Sequence, residues 1–241
     1  MRDEGGGLRS EMTALNVIML GPPGAGKGTQ AAWLSRDYTI PKISTGDILR
    51  DAVTQGTELG RLIRATMETG QLVPDAAVVG IVRERLERPD TAPGFILDGF
   101  PRTVVQARAL DDLMLARRRG VLTVLLVDVP FEELVRRLRG RLICRACGTG
   151  ADPGQSESDR CKNCGEALVH RIDDGEDVVT RRLIVYKEET EQLVGYYRGS
   201  PTFYRINGFQ SPAVVTAEIR AALEASQKEA ARQVRPVDVR P

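Results

Sequence analysis

Apolar residues in this chain fall into short unbroken runs set between longer stretches with helical spacing. The runs at 16–20 (Asn-Val-Ile-Met-Leu), 94–98 (Gly-Phe-Ile-Leu-Asp) and 121–127 (Val-Leu-Thr-Val-Leu-Leu-Val) show little polar alternation. Each predicts a strand, and the nearly all-apolar run at 121–127 predicts a central one covered on both faces, the habit of parallel sheets. Shorter strands are expected at 40–43 and 202–208. Helices are expected from the glycine-rich loop at 21–29 to about Arg36, over 58–69 with Gly70 as its stop, and from Pro74 and Asp75 to about Arg88. Further ones are expected over 104–119, 131–139 behind Pro130, 178–197 behind an acidic turn, and 213–231. Ser44 and Thr45 stand where helix caps belong. Strands that alternate with helices in this way predict an α/β fold with a doubly wound parallel sheet. The helical excursion between the strands at 40–43 and 94–98 has the size of a substrate-holding flap.

The loop itself carries the first chemistry. Gly21-Pro22-Pro23-Gly24-Ala25-Gly26-Lys27-Gly28-Thr29 joins a strand to a helix, the context in which backbone N–H groups and a helix start cradle phosphate and a lysine reaches its terminal oxygens. Lys27 is followed by Gly28, so the hydroxyl comes one place later, at Thr29. Asp98 closes a buried strand beside this loop, where a magnesium ion or its waters are held.

All four cysteines lie in one stretch, Cys144-Arg145-Ala146-Cys147 and Cys161-Lys162-Asn163-Cys164, with thirteen residues between the pairs. Two such knuckles read as a tetrahedral thiolate site, zinc first, although iron fits the same sulfur cage. Every ligand sits in one short insert with no open position, so the metal's role is expected to be structural.

Composition narrows the partners. A net charge of +1 over 241 residues gives no global basic field, which favours small anions over polymers. The stretch 144–166 mixes Arg145, Arg160 and Lys162 with Asp152, Glu157, Asp159 and Glu166 and has no aromatic residue to stack a base, so it argues against a nucleic-acid module. No apolar run approaches a membrane span, and the first residues lack the apolar middle of a secretory signal. A cytoplasmic protein is expected. Residues 1–14 read as a disordered extension, with Met12 as an alternative start, and 232–241 as a frayed tail. No internal repeat is visible.

Taken in order, GPPGAGKGTQ at 21–30, ISTGDILR at 43–50, GFILDGFPRT at 94–103, DVP at 128–130 and RIDDGED at 171–177 resemble adenylate kinase, in the long-lid form whose lid carries paired cysteine knuckles. The likeness spans about Asn16 to Leu223. It implies a core formed by 15–43, 75–136 and 177–231, an AMP-binding flap at 44–74 and a zinc-binding lid at 137–176. The activity implied is reversible transfer of a phosphoryl group from MgATP to AMP, giving two ADP, by a protein that works as a monomer.

Carried over by position, Gly24, Ala25, Gly26, Lys27, Gly28 and Thr29 resemble the ATP phosphate cradle. Arg137, Arg141 and Gln210 resemble further ATP contacts. Thr45, Arg50, Leu72, Val73, Gly99, Arg102, Gln106, Arg171 and Arg182 resemble the AMP site. Lys27, Arg102, Arg137, Arg141, Arg171 and Arg182, with Asp173 holding them, resemble the catalytic set, and Asp98 serves magnesium through water. Two departures stand out against the family pattern: a shorter spacer between the cysteine pairs, and a turn at 208–212 that is longer by one residue. The rival reading inside the same enzyme class is a pyrimidine monophosphate kinase, against which Thr45 and the long lid speak. An ATP-binding zinc-ribbon module that binds nucleic acid is the rival from another class. The one histidine, His170, reads as a surface or packing residue and not as a base.

Overall fold

The structure is a computed structural model that describes residues 14–151, 154–171 and 175–234. Its centre is a sheet of five strands, β1 (Leu15–Leu20), β2 (Lys42–Ser44), β3 (Gly94–Asp98), β4 (Leu122–Asp128) and, last in the chain, β7 (Phe203–Asn207). They lie in the order β2-β3-β1-β4-β7, and every neighbouring pair is parallel.

Burial on both faces explains the unbroken apolar runs. Val17 and Met19 of β1, Ile96 of β3 and Leu125 and Val127 of β4 enter one core cluster. Their sequence neighbours Ile18, Leu20, Phe95, Leu97, Val124 and Leu126 enter the other, as the two-residue period of a strand requires. The first face is covered by α1 (Lys27–Tyr38), α6 (Phe131–Arg139), α7 (Glu176–Val185) and α9 (Pro212–Val234). The second is covered by α2 (Thr45–Thr54), α3 (Glu58–Glu68), α4 (Asp75–Leu86), α5 (Val104–Ala116) and α8 (Gln192–Tyr197).

The chain leaves β1 for the β2–β3 side and later returns to its other side at β4. That reversal opens a crevice at the carboxyl end of β1, the position at which open α/β sheets bind ligands.

Three local outcomes differ from the sequence reading. The helix expected to reach residue 119 stops at Ala116 because Arg118 takes a left-handed conformation (φ 50°). Arg119 then turns inward to donate to the carbonyls of Leu86 and Thr91, both at 2.6 Å, so it is not part of a solvated face. The long helix expected over 178–197 is broken by a wide-turn segment, Tyr186–Thr190, where the Glu191 N–H reaches back five residues to the Tyr186 carbonyl at 2.9 Å. The cysteine insert holds an antiparallel pair, β5 (Leu142–Cys144) and β6 (Leu168–His170), too short to show as an apolar run. The proposed extension at 1–14 lies, but for Ala14, outside the described residues. Of the expected tail, 232–234 continue α9 and the rest lies outside them as well.

Candidate phosphate-transfer site

The glycine loop lies at the mouth of the crevice. Gly26 caps α1 in a left-handed conformation (φ 93°) that a residue with a Cβ adopts only at a cost, and this turn aims the first N–H groups of α1 at the loop interior. Lys27 follows, and its Nζ donates to the carbonyls of Gly21 at 2.7 Å and Pro22 at 2.9 Å. Desolvation by burial, opposed by the charge of Asp98 and helped by those of Arg102, Arg182 and Arg141, brings the Lys27 ammonium down to about 8. The fold thus brings five separately predicted residues within one electrostatic neighbourhood.

Asp98 ends β3, and a Cβ placed on Gly28 would stand 3.2 Å from its Oδ2. A carboxylate therefore lies against the first turn of the loop helix, which is the donor chemistry that a magnesium ion or its waters require.

A cleft beside the loop is lined by Thr45, Gly46, Leu49, Arg50, Met67, Gly70, Gln71, Leu72, Val73, Val78, Gly99, Arg102, Gln106 and Arg182. Eight of the nine residues expected at the acceptor site are among them. Arg171, one position past β6, is not. Thr45 does not cap its helix; Ser44 does, accepting from the Asp47 N–H at 3.2 Å. The buried Thr45 hydroxyl instead donates to the Gly99 carbonyl at 2.8 Å, which also accepts from Arg102 Nε at 2.9 Å. Gly99 has a φ of 81°, and a Cβ there would lie 3.1 Å from the Arg102 guanidinium, so only glycine lets arginine and threonine share that carbonyl.

Gln106 is fixed at both ends of its amide. Its Nε2 donates to Asp75 Oδ1 at 2.7 Å and its Oε1 accepts from the Arg102 N–H at 2.8 Å. Asp75 Oδ2 also accepts from Thr103. Reading the sequence missed this role for Asp75, which looked like an ordinary acid in a first helical turn.

Among the residues expected to contact ATP, Arg137 Nη2 donates to the Gly208 carbonyl at 3.0 Å, which ties α6 to the turn that carries Gln210. Glu133 accepts from Arg137 Nε at 2.6 Å. Hydrogen bonds from Arg136 and Arg137 hold the Glu133 carboxyl down to about 2, so it stays ionised and keeps Arg137 oriented. The i,i+4 spacing of Glu133 and Arg137 was the available signal for this pair. Gln210 Nε2 donates to the Asn207 carbonyl at 3.0 Å and to Glu218 at 3.1 Å. Asp173 lies outside the described residues. His170 pairs with Glu157 at 3.0 Å on the surface of the insert, away from these groups.

In that insert the Sγ atoms of Cys144, Cys147, Cys161 and Cys164 all lie within 4.8 Å of one another. Individual separations are 3.3 Å for Cys144 and Cys164, 3.7 Å for Cys147 and Cys161, and 3.5 Å for Cys147 and Cys164. Tetrahedral zinc with sulfur at about 2.3 Å sets neighbouring sulfurs about 3.8 Å apart, so the cage has the size for a metal ion. Hydrogen bonds from Thr149 and Asn163 hold Cys147 down to about 5. Cys164, although the Glu166 N–H favours its thiolate, is pushed up to about 12 by the sulfurs of Cys144 and Cys147. Four cysteine sulfurs at this spacing could hold a metal ion.

Residues 19–201 match the family model described as adenylate kinase. Among curated proteins, the adenylate kinase of Archaeoglobus fulgidus is 49% identical over 215 residues, covering 87% of this chain and 98% of that one. The adenylate kinase of Syntrophobacter fumaroxidans is 45% identical, covering 87% of this chain and 100% of its own. That of Nitrosococcus oceani is 44% identical, covering 88% and 100%.

Proposed function

Because the chain belongs to the adenylate kinase family, which catalyses reversible phosphoryl transfer between ATP and AMP, we propose a residue-level account of how it does so. The pyrimidine kinase and nucleic-acid readings are not favoured by these relatives. One observation carries the account: Lys27, Arg102, Arg141, Arg182 and Asp98 share one electrostatic neighbourhood at the meeting of loop and cleft.

ATP would place its phosphates on the N–H groups of 24–29 with Lys27 on the terminal ones, its base near Gln210 and the Arg137-bound turn. AMP would occupy the cleft, its base toward Thr45, Gln106 and the backbone of Leu72 and Val73, its phosphate toward Arg50, Arg102 and Arg182. Arg141 and Arg171 would close over the moving group from the lid. The acceptor is a phosphate oxygen already ionised near neutral pH, so no general base is needed. Alignment and charge neutralisation supply the rate. Asp98 would hold magnesium, carried in with ATP, through water, and the ion would supply positive charge to the phosphates. Closure of the flap (44–74) and the lid (137–176) would keep water from taking the phosphoryl group.

The insert is read as a structural zinc site with Cys144, Cys147, Cys161 and Cys164 as ligands, no part of the chemistry. No helix among the described residues is long and apolar enough to cross a membrane, and we infer a cytoplasmic monomer that binds no nucleic acid. The deciding experiment is ADP formation from MgATP with AMP, CMP, UMP and GMP in parallel. AMP is expected to be preferred by well over about tenfold, since polar groups left unpaired by a wrong base are costly. Comparable specificity constants for a pyrimidine acceptor would overturn the reading.

A further inference from the structure

Lys42 stands between the two substrate sites. Its Nζ lies 3.7 Å from Asp98 Oδ2 on one side and 3.8 Å from Asp47 Oδ2 on the other. Asp98 is the carboxylate read above as magnesium's. Asp47 sits in the first turn of flap helix α2, and its Oδ1 accepts from Arg50 of the acceptor cleft. A Cβ on Gly28 would be 3.6 Å from the same ammonium, so Lys42 also lies against the phosphate loop. The Asp98 carboxylate is largely buried, with 14% of its side chain exposed, and the Lys42 side chain is 25% exposed, so solvent screens this pair only in part. One side chain of a core strand therefore bridges the donor's metal carboxylate and the anchor of an acceptor arginine.

We propose that Lys42 is a positioning residue that links magnesium at Asp98 to phosphate binding at Arg50. The proposal rests on the reading of Asp98 given above. The ammonium and magnesium are cations that compete for one carboxylate. When the metal is present, Lys42 loses part of its attraction to Asp98 and shifts its weight to Asp47. Asp47 then holds Arg50 less tightly, and the guanidinium is released toward the AMP phosphate. Linkage makes the effect reciprocal: AMP on Arg50 leaves Asp47 for Lys42 and opens Asp98 to the metal.

The test uses the intact enzyme and its Lys42→Gln, Lys42→Arg and Asp98→Asn variants, with equal melting temperatures as the check on folding. ATP binding is followed calorimetrically, without AMP, across a series of free magnesium concentrations. In Lys42→Gln the magnesium midpoint is expected to fall by about threefold or more, the scale of a partly screened charge pair, whereas Lys42→Arg should stay near the parent. AMP affinity is then measured with a non-hydrolysable ATP analogue, with and without magnesium. The parent should bind AMP more tightly with the metal, and Lys42→Gln should lose that difference. An unchanged magnesium midpoint in Lys42→Gln overturns the competition, and a shifted midpoint with the AMP coupling intact overturns the link to Arg50. Asp98→Asn separates the two layers: if it leaves the midpoint untouched, the magnesium assignment of Asp98 fails, and if it weakens magnesium while Lys42→Gln does nothing, only the role of Lys42 fails.

Discussion

Single charges decide the chemistry at the smallest scale. Lys27 is placed where desolvation, working against Asp98 and helped by three arginines, lowers it to about 8. In the proposed role only the protonated form would serve the terminal phosphates, and it is lost as pH rises through that value. The specificity constant for MgATP, which reports the free enzyme, should therefore be flat below pH 8 and decline above it, as a pH profile would reveal. Lys27→Met should cut turnover by roughly a hundredfold or more, the size of losing one charge-stabilising donor, with unchanged melting. Near-normal turnover would remove Lys27 from the mechanism. Asp75 offers a different kind of test, because it holds Gln106 without facing the phosphates. Asp75→Ala should raise the KM for AMP by about tenfold, the value of one buried hydrogen bond, and leave kcat nearly intact.

Between residues and molecule, the run from α7 to α8 is the informative element. α7 buries Val179 and Leu183 in one core cluster and sends Arg182 to the acceptor cleft, while α8 buries Leu193 and Tyr197 in the other. The wide segment Tyr186–Thr190 inserts one residue between them and so sets their relative phase, since each helical residue turns the chain by about 100°. Deleting the exposed Glu189 would rotate one helix against the other. Core burial of Leu193 and Tyr197 stabilises by several kcal/mol in total, roughly, so α8 should keep its seat and α7 should swing Arg182 away. The expected result is at least about tenfold lower turnover, the cost of misplacing one aligning group, with melting shifted by only a few degrees. Full turnover in the deletion would show that the phase carries no positional demand.

For the whole molecule, the division into two sheet-face clusters and a separate small one matters most. The insert's own cluster is Leu142, Cys144, Cys161 and Leu168, half of it cysteine, so its order depends on the sulfur cage more than on apolar burial. Structural zinc contributes of order 10 kcal/mol to such small units. Metal removal, or Cys161→Ser with Cys164→Ser, should lower the melting temperature of the insert, spare the sheet core, and leave substantial activity at low temperature. Bound metal, melting and turnover measured on the same samples would test this; unchanged melting without metal would overturn the structural role.

The strands at 16–20, 94–98 and 121–127, the loop around Lys27 and the cysteine cage were legible in the sequence because each is local: a run, a spacing or a turn fixes it. The cage needed only two knuckles, and the buried strands needed only apolar neighbours on both sides. What a one-dimensional pattern could not hold was the pairing of distant polar groups. Asp75 with Gln106, Arg137 with the Gly208 carbonyl, Arg119 with the carbonyls of Leu86 and Thr91, and Lys42 between Asp47 and Asp98 are all set by where the crossovers lay their helices. The same holds for the wide segment at Tyr186–Thr190, whose residues carry ordinary helix propensity and which joins two helices that face two different cores. Local chemistry is written in the order of residues, whereas the alignment of polar groups far apart in the chain is decided when the sheet closes its two faces.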